Sequence, residues 1–183
     1  SIIAGKHYLD KQFFESLFFA QKAKEIFIRQ NNYKRCISIN FTILNNLAST
    51  GTFDDYYKLA REQMLTIRAF GTNVEEQQVV FKHLIISAIS VNEYNEVFKI
   101  LKTIKALTLT DIFCYVIAKF RTLDSKSFNN WFEMYLEKSK MNESNKQSCL
   151  ILIDYLKLPE KRKIPSLEEC RIMRSLIEVL KWL

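Results

Sequence analysis

Glycine and proline are rare in this chain, and their scarcity limits its possible folds more than any other feature. The 183 residues contain only 3 Gly and 2 Pro. A β-sandwich or β-barrel of this length needs frequent turns, most of which contain one of these residues. A nucleotide-binding α/β fold needs a Gly-rich phosphate loop, and the sequence contains none. Helices joined by short polar turns need neither, so the composition favours an all-α fold.

Apolar residues recur every three or four positions through nine segments of the sequence, which is the period of an amphipathic helix. The sixth segment is almost uniformly apolar and is predicted to be the most buried. The predicted helices cover about residues 10–30, 33–49, 53–70, 73–91, 93–104, 108–121, 125–136, 143–157 and 166–183. The predicted core residues of the first helix are Phe13, Phe14, Leu17, Phe18, Ala20, Ala23, Ile26 and Phe27.

We expect one helical domain over residues 1–183. Within it, residues 1–32 hold an N-terminal helix, 33–157 stacked helix pairs, 158–165 a basic linker and 166–183 a C-terminal helix. The short connections place neighbouring helices antiparallel. Because so many helices rarely form one closed bundle, the predicted architecture is a right-handed stack of antiparallel pairs, an α-solenoid.

The composition also bears on partners and compartment. The chain has 27 Lys and Arg against 20 Asp and Glu, a formal net charge of +7. This excess permits contact with nucleic acid, but Lys alternates with Glu almost throughout, which favours a solvated surface. The 4 Cys lie singly among apolar neighbours, which predicts buried thiols in a reducing compartment. With no long apolar run and no signal peptide visible, we expect a cytoplasmic protein without membrane contact.

Signs of catalysis are weak. His7 and His83 have no metal-ligand spacing with any Cys, Asp or Glu. Cys114 lies between aromatic residues in the most apolar helix, where burial makes a thiol inert. A serine nucleophile elbow and an apolar pair of carboxylates are both absent. We therefore expect no enzyme activity, no cofactor and no metal site.

Three turns of related sequence indicate internal repeats. Each consists of a short polar stretch, an aromatic residue, two polar residues and an apolar residue. The aromatic residues Phe53, Tyr94 and Phe128 are 41 and 34 residues apart, a spacing typical of helix-turn-helix repeats. Over residues 33–140 this pattern resembles the tetratricopeptide repeat, which implies a concave face for a guest. Two features depart from that family, since it usually has Ala where this chain has Tyr56, Val97 and Trp131, and Gly where it has Leu44.

A closer resemblance is to the peptide-sensing domains of Gram-positive transcription regulators of the Rgg and PlcR type. It is carried by AKEIF at residues 23–27, NNLA at 45–48 and GTF at 51–53. The resemblance implies a short quorum-sensing peptide as ligand. It also implies an N-terminal helix-turn-helix DNA-binding domain, which does not fit within these residues and would precede Ser1.

The inner face of the second predicted helix offers a candidate peptide site if Gly51 closes the helix pair. An Asn amide has two donors and an acceptor, so it can hold an extended peptide backbone without demanding a sequence. Asn45 is equally consistent with an ordinary exposed polar residue, and Phe120 is also consistent with simple packing in the core. The predicted groove residues are Ser38, Phe41, Asn45, Ser49, Lys82, Ile86, Val116 and Phe120.

The last predicted helix has apolar residues on more than one face, which favours self-association or a further C-terminal segment. The predicted dimer interface consists of Met173, Leu176, Ile177 and Leu180.

The favoured function is therefore a ligand- or peptide-sensing domain of a transcription regulator, coupled to a dimer or a DNA-binding domain. A protein–protein scaffold of the same fold, without a small effector, is the main alternative. Direct nucleic-acid binding through the basic surface is a third, and it predicts a steep dependence of affinity on salt.

Overall fold

Helices make up all the regular secondary structure of the described residues. A computed structural model of the protein describes residues 2–70, 74–104 and 107–157, and these ranges contain no β-strand. The all-α prediction is thus confirmed. The right-handed sense of the stack stays a prediction. In chain order the helices in these ranges are α1 (Ile2–Leu9), α2 (Phe13–Arg29), α3 (Tyr33–Thr50), α4 (Phe53–Phe70), α5 (Val74–Ser90), α6 (Tyr94–Leu101), α7 (Leu109–Thr122), α8 (Ser125–Lys138) and α9 (Glu143–Lys157).

The first eight predicted helices correspond to α2 through α9, with ends that agree within a few residues. The prediction omitted α1, whose eight residues are too few to show a clear apolar period. The predicted linker 158–165 and C-terminal helix 166–183 lie outside the described residues.

Short polar side chains and one glycine define several helix ends. Gly51 ends α3 with φ of 72°, a left-handed conformation that favours glycine. The N–H of Thr52 donates to the carbonyl of Leu47 at 3.0 Å, which completes the cap. At the start of α7, Thr108 and Asp111 form a capping box that satisfies two backbone donors. These interactions explain why the polar turns of the sequence separate the helices.

The chain divides into two compact units, Ser1–Asn92 and Glu93–Leu183. In the first unit, α2 packs against α1 and α3, while α4 packs against α3 and α5. Helix α3 has a buried apolar face, as expected of an amphipathic segment. Its buried apolar residues are Cys36, Ile37, Ile39, Ile43, Leu44, Leu47 and Ala48.

The predicted core face of α2 is wrong in part. Phe14 is 73% exposed and Phe18 and Ile26 are 54% and 51% exposed, although their spacing predicted burial. The fully buried residues of α2 are Ala20, which was predicted, and Ser16, which was not. Small side chains at these positions let α1 and α3 approach the backbone of α2 closely, and the larger aromatic residues lie partly or wholly outside that contact.

In the second unit, α7 packs against α6, α8 and α9. Of its 14 residues, eight are buried, in agreement with its apolar sequence. The turn before α8 is closed by Asp124, whose carboxylate accepts hydrogen bonds from the N–H groups of Lys126 and Ser127. The Ser127 hydroxyl also donates to this carboxylate. Its hydrogen bond has the largest effect, followed by that of the Ser127 N–H, and together they hold the pKa of Asp124 below its usual value. Within the described ranges, no helix combines the length and the apolar character that crossing a bilayer requires.

Candidate functional site

The four predicted groove residues of α3 lie on the least buried side of that helix. Ser38 is exposed, and Phe41, Asn45 and Ser49 are half-buried. They recur at three and four residues, so they follow one face of the helix. The opposite side packs on α2 and α4. The first unit therefore presents these four predicted residues together along one partly open face.

The three asparagines of α3 have different environments. Asn40 is 7% exposed and Asn46 is fully buried. The Asn40 amide donates to Gln63 Oε1 at 2.6 Å, and the Asn46 amide donates to Ser16 Oγ at 2.8 Å. Asn45 is half-buried, and its side chain forms no hydrogen bond with any described residue. Asn45 is therefore the asparagine of this helix whose amide is open to a guest.

The two buried asparagines each keep one unused acceptor. Within the described part of the chain, Asn40 Oδ1 and Asn46 Oδ1 have no hydrogen-bond partner. The Ser16 hydroxyl donates onward to the Ala4 carbonyl at 2.8 Å, so the Asn46 chain of bonds links α3, α2 and α1. The Gln63 amide donates to the Ile37 carbonyl at 3.2 Å and links α4 to α3. These polar groups fix how the helices of the first unit pack.

An aromatic cluster joins α3 to α5. The ring centroids of Phe41 and His83 are 6.3 Å apart, and His83 Nδ1 lies 2.8 Å from the Tyr56 hydroxyl on α4. Burial, and to a smaller extent the charge of Lys82, lowers the pKa of His83 to about 4. The imidazole is thus neutral at neutral pH. Because its hydrogen-bond partner is a phenol, the cluster has the character of a packing element rather than of a nucleophile and its base.

The other predicted groove residues differ in exposure. Lys82 on α5 is exposed and adjoins His83, whereas Ile86 is 8% exposed. In the second unit Val116 has no exposed surface, and Phe120 packs edge-on against Phe128 with ring centroids 5.1 Å apart. The predicted groove combines residues of both units and stays a prediction. The predicted dimer residues Met173, Leu176, Ile177 and Leu180 lie outside the described residues.

A cavity of about 340 Å³ opens in the second unit. Its lining is mostly apolar, and two lysines complete it. The lining residues are Phe98, Leu101, Lys102, Leu107, Tyr115 and Lys119.

Lys119 lies at this cavity among aromatic rings. Its Nζ is 4.8 Å from the centroid of Phe98, 5.9 Å from that of Tyr115 and 5.8 Å from that of Trp131. These distances fall in the range of cation–π attraction. The rings also contact one another, since Tyr115 meets Phe98 edge-on at 5.8 Å and Trp131 edge-on at 5.4 Å. The ammonium group is thereby held in one place.

Groups suited to metal binding or thiol chemistry are not assembled in the described ranges. No cluster of three or more His, Cys, Asp or Glu is found there that could hold a metal ion. Cys36, Cys114 and Cys149 are buried, which confirms the predicted burial of these three thiols. Burial raises the pKa of Cys149 to about 11, so this thiol stays protonated. Cys170 lies outside the described residues.

The sequence analysis missed the cavity and the buried amide network. Lys119 is one helical turn after Tyr115, and it is a single cation in a run of apolar residues. That combination was a usable signal, but the predicted groove included only the neighbouring Val116 and Phe120. Asn40 and Gln63 gave no local signal, because their burial depends on how α3 and α4 pack.

Comparison of this chain with protein-family models, with curated proteins and with solved structures yields no match. The functional interpretation therefore depends on the residues and geometry described above.

Proposed function

We propose that this chain is a peptide-sensing helical repeat domain of a transcription regulator. A short peptide would lie in extended form along the open face of α3 and beside α5, in contact with Ser38, Phe41, Asn45, Ser49 and Lys82. Peptide binding would favour one arrangement of the helices over another and so change a dimer or an attached DNA-binding domain outside these residues. Such coupling requires that the peptide bind one arrangement more tightly than the other.

The Asn45 amide is the observation that carries this proposal. It lies on the open face of α3 and forms no hydrogen bond with the described residues, whereas Asn40 and Asn46 are occupied in the interior. An amide can donate to a peptide carbonyl and accept from a peptide N–H at the same time. It therefore suits recognition of a peptide backbone.

The contact between Phe41 and His83 supports the extent of the site. It brings one side chain of α3 within 6.3 Å of one of α5, next to the exposed Lys82, and this supports a peptide that contacts both helices. The aromatic ring of Phe41 is half-buried and offers an apolar surface to a peptide side chain. Polar and apolar contacts are thus combined on one face, as small-ligand sites usually require.

Replacing Asn45 tests the proposal. Short peptides would be selected from a random library against the full chain, and their affinity measured by calorimetry. We expect Asn45→Ala to weaken binding by about tenfold or more, since it removes hydrogen bonds that together contribute about 1.4 kcal/mol or more. The helix content measured by circular dichroism should not change, because the Asn45 side chain forms no hydrogen bond with any described residue.

Asn130→Ala is the matched control. It removes an exposed amide from α8 in the second unit, and it should leave peptide affinity unaltered. Equal affinities of the Asn45→Ala protein and the wild type would refute the α3 site.

A protein–protein scaffold is the second candidate function, and one observation favours it. Apolar side chains of the first two helices are widely exposed, with Ile2 at 94%, Leu9 at 80% and Phe14 at 73%. Clustered exposed apolar residues often mark a protein interface. In that case a protein partner would bind α1 and α2, and substitution of Asn45 would not affect it.

A further inference from the structure

The cavity of the second unit has two chemically different parts. Phe98, Leu101, Leu107 and Tyr115 give it an apolar wall. Leu107 is 38% exposed although it is a large apolar residue, which shows that the apolar lining is open to solvent. Burying such a wall beneath an apolar group is favourable by about 25 cal/mol per Å². The wall therefore favours a ligand with an apolar body.

The two lysines of the lining supply positive charge that no acidic group in the described part of the chain neutralises. Lys102 and Lys119 form no ion pair with any described residue. Lys102, directly after the end of α6, is exposed, while Lys119 on α7 is half-buried. A half-buried ammonium group is screened less by water than an exposed one, so an anion that reaches it gains more.

The aromatic rings around Lys119 fix the position of that charge. Phe98 on α6, Tyr115 on α7 and Trp131 on α8 all have centroids within 5.9 Å of Nζ. A lysine in water samples many rotamers, and holding it in one of them for a ligand costs side-chain entropy. Here the rings of three helices already restrict it. The site is therefore organised for an anion before any ligand arrives.

From these features we infer that the second unit binds a monocarboxylate with a compact apolar body. The apolar body would lie against Phe98, Leu101 and Leu107, and the carboxylate would accept hydrogen bonds from Lys119 and Lys102. A volume of about 340 Å³ is at the lower end of ligand sites, which span about 300–1,000 Å³, and fits a small molecule or one terminal residue. This site is separate from the α3 face and does not depend on the peptide proposal.

A carboxylate of this kind has two sources, a free organic acid and the C-terminal residue of a peptide. The test uses both, each with its neutral amide. The probes are 3-phenylpropanoate with 3-phenylpropanamide, and N-acetylphenylalanine with N-acetylphenylalaninamide. Trp131 reports on binding through its fluorescence, because its ring contacts Lys119. The full chain contains 2 Trp, so the titrations are made in a Trp182→Phe background.

We expect each acid to bind about tenfold or more tightly than its amide, since a hydrogen bond to a charged group contributes about 1.5–3 kcal/mol. Tighter binding of 3-phenylpropanoate would identify a free acid as the source, and tighter binding of N-acetylphenylalanine a peptide terminus. Three results would overturn the inference. The acids and their amides could bind with equal affinity, or neither acid could bind. Inorganic phosphate could also compete for the site as effectively as the acids themselves do.

Substitution of Lys119 tests the assigned residue. Lys119→Met keeps the apolar stem and removes the charge, and it should reduce the affinity for the acids to that for the amides. Lys119→Arg keeps the charge and should retain most of the preference for the acids. Lys99→Met removes a cation from the same helix as Phe98 but outside the cavity lining, and should have no effect. If Lys119→Met binds the acids as tightly as the Lys99→Met control does, the assignment of Lys119 is wrong.

Discussion

At the scale of single residues, His83 has a direct consequence for stability. Its imidazole is held between the Tyr56 hydroxyl and the Phe41 ring, and its pKa in the folded protein is about 4 against an ordinary value of 6.5. Between these two values the unfolded chain binds a proton at this position and the folded protein does not. The free energy of unfolding therefore falls as the pH drops from 6.5 towards 4, and His83 adds no pH dependence above that window.

We expect the His83→Asn protein to lose this pH dependence. In the wild type, His83 should lower the free energy of unfolding by about 2 kcal/mol between pH 7 and pH 5. An Asn side chain places a polar atom near the position of Nδ1, so it can still bond to Tyr56, but it does not titrate. Urea unfolding curves at the two pH values measure the difference.

The other histidine of the chain provides the control. His7→Asn leaves the Tyr56 cluster intact, so this variant should keep the wild-type decline between pH 7 and pH 5. If His83→Asn declines as steeply as His7→Asn, His83 is protonated in the folded protein and its assigned environment is wrong.

The asparagines of α3 show what a sequence can and cannot reveal at this scale. The period of the helix was sufficient to group Asn45 with Ser38 and Phe41 on one face, and in the structure Asn45 is half-buried. From the sequence alone, Asn40 and Asn46 would be expected at the surface, where most asparagines lie. Their burial follows from partners distant in sequence, Gln63 and Ser16, which no local pattern identifies.

At the scale of helices, α2 is the element where pattern and packing disagree. The aromatic residues set the apolar period, so the sequence predicted that they would form the core. Close approach of α1 and α3 instead requires small side chains, and it buries Ser16 and Ala20 completely. An apolar period shows that a helix is amphipathic, but the side of closest contact depends on side-chain size.

Two substitutions in α2 test this packing. Ala20→Leu should lower the free energy of unfolding by about 1–3 kcal/mol, because the added atoms enter a filled interface. Phe14→Ala should change it by no more than about 0.5 kcal/mol, since Phe14 is 73% exposed. Chemical denaturation of both variants measures the two values.

The alternative arrangement makes the opposite prediction for the same pair. If the aromatic face of α2 were the core, Phe14→Ala would cost about 3–5 kcal/mol, and a larger side chain at Ala20 would be tolerated. A greater loss of stability for Phe14→Ala than for Ala20→Leu would therefore contradict the observed packing.

Helix ends were easier to predict than helix faces. Gly51 ends α3 and α8 begins directly after Asp124, both close to the predicted helix boundaries. Caps depend on residues next to each other in the chain, so local sequence is enough to find them. The cavity beside α7 combines residues of α6 and α7 with Leu107 between them, and such combinations arise only on folding.

At the scale of the whole molecule, the described residues contain three candidate binding surfaces, two in the first compact unit and one in the second. The first has the open face of α3 with its free Asn45 amide, and the second has the cavity at Lys119. The exposed apolar residues of α1 and α2 are a third surface, and they favour a protein partner. A bound peptide distinguishes these surfaces, because each lies on different helices.

Hydrogen–deuterium exchange of the full chain, with and without a selected peptide, locates the bound peptide most directly. Backbone amides of α3 and α5 should exchange more slowly when the peptide is bound, because the guest restricts opening of the helices it contacts. Slower exchange limited to α1 and α2, or to α6 and α7, with α3 and α5 unchanged, would contradict the proposed peptide site.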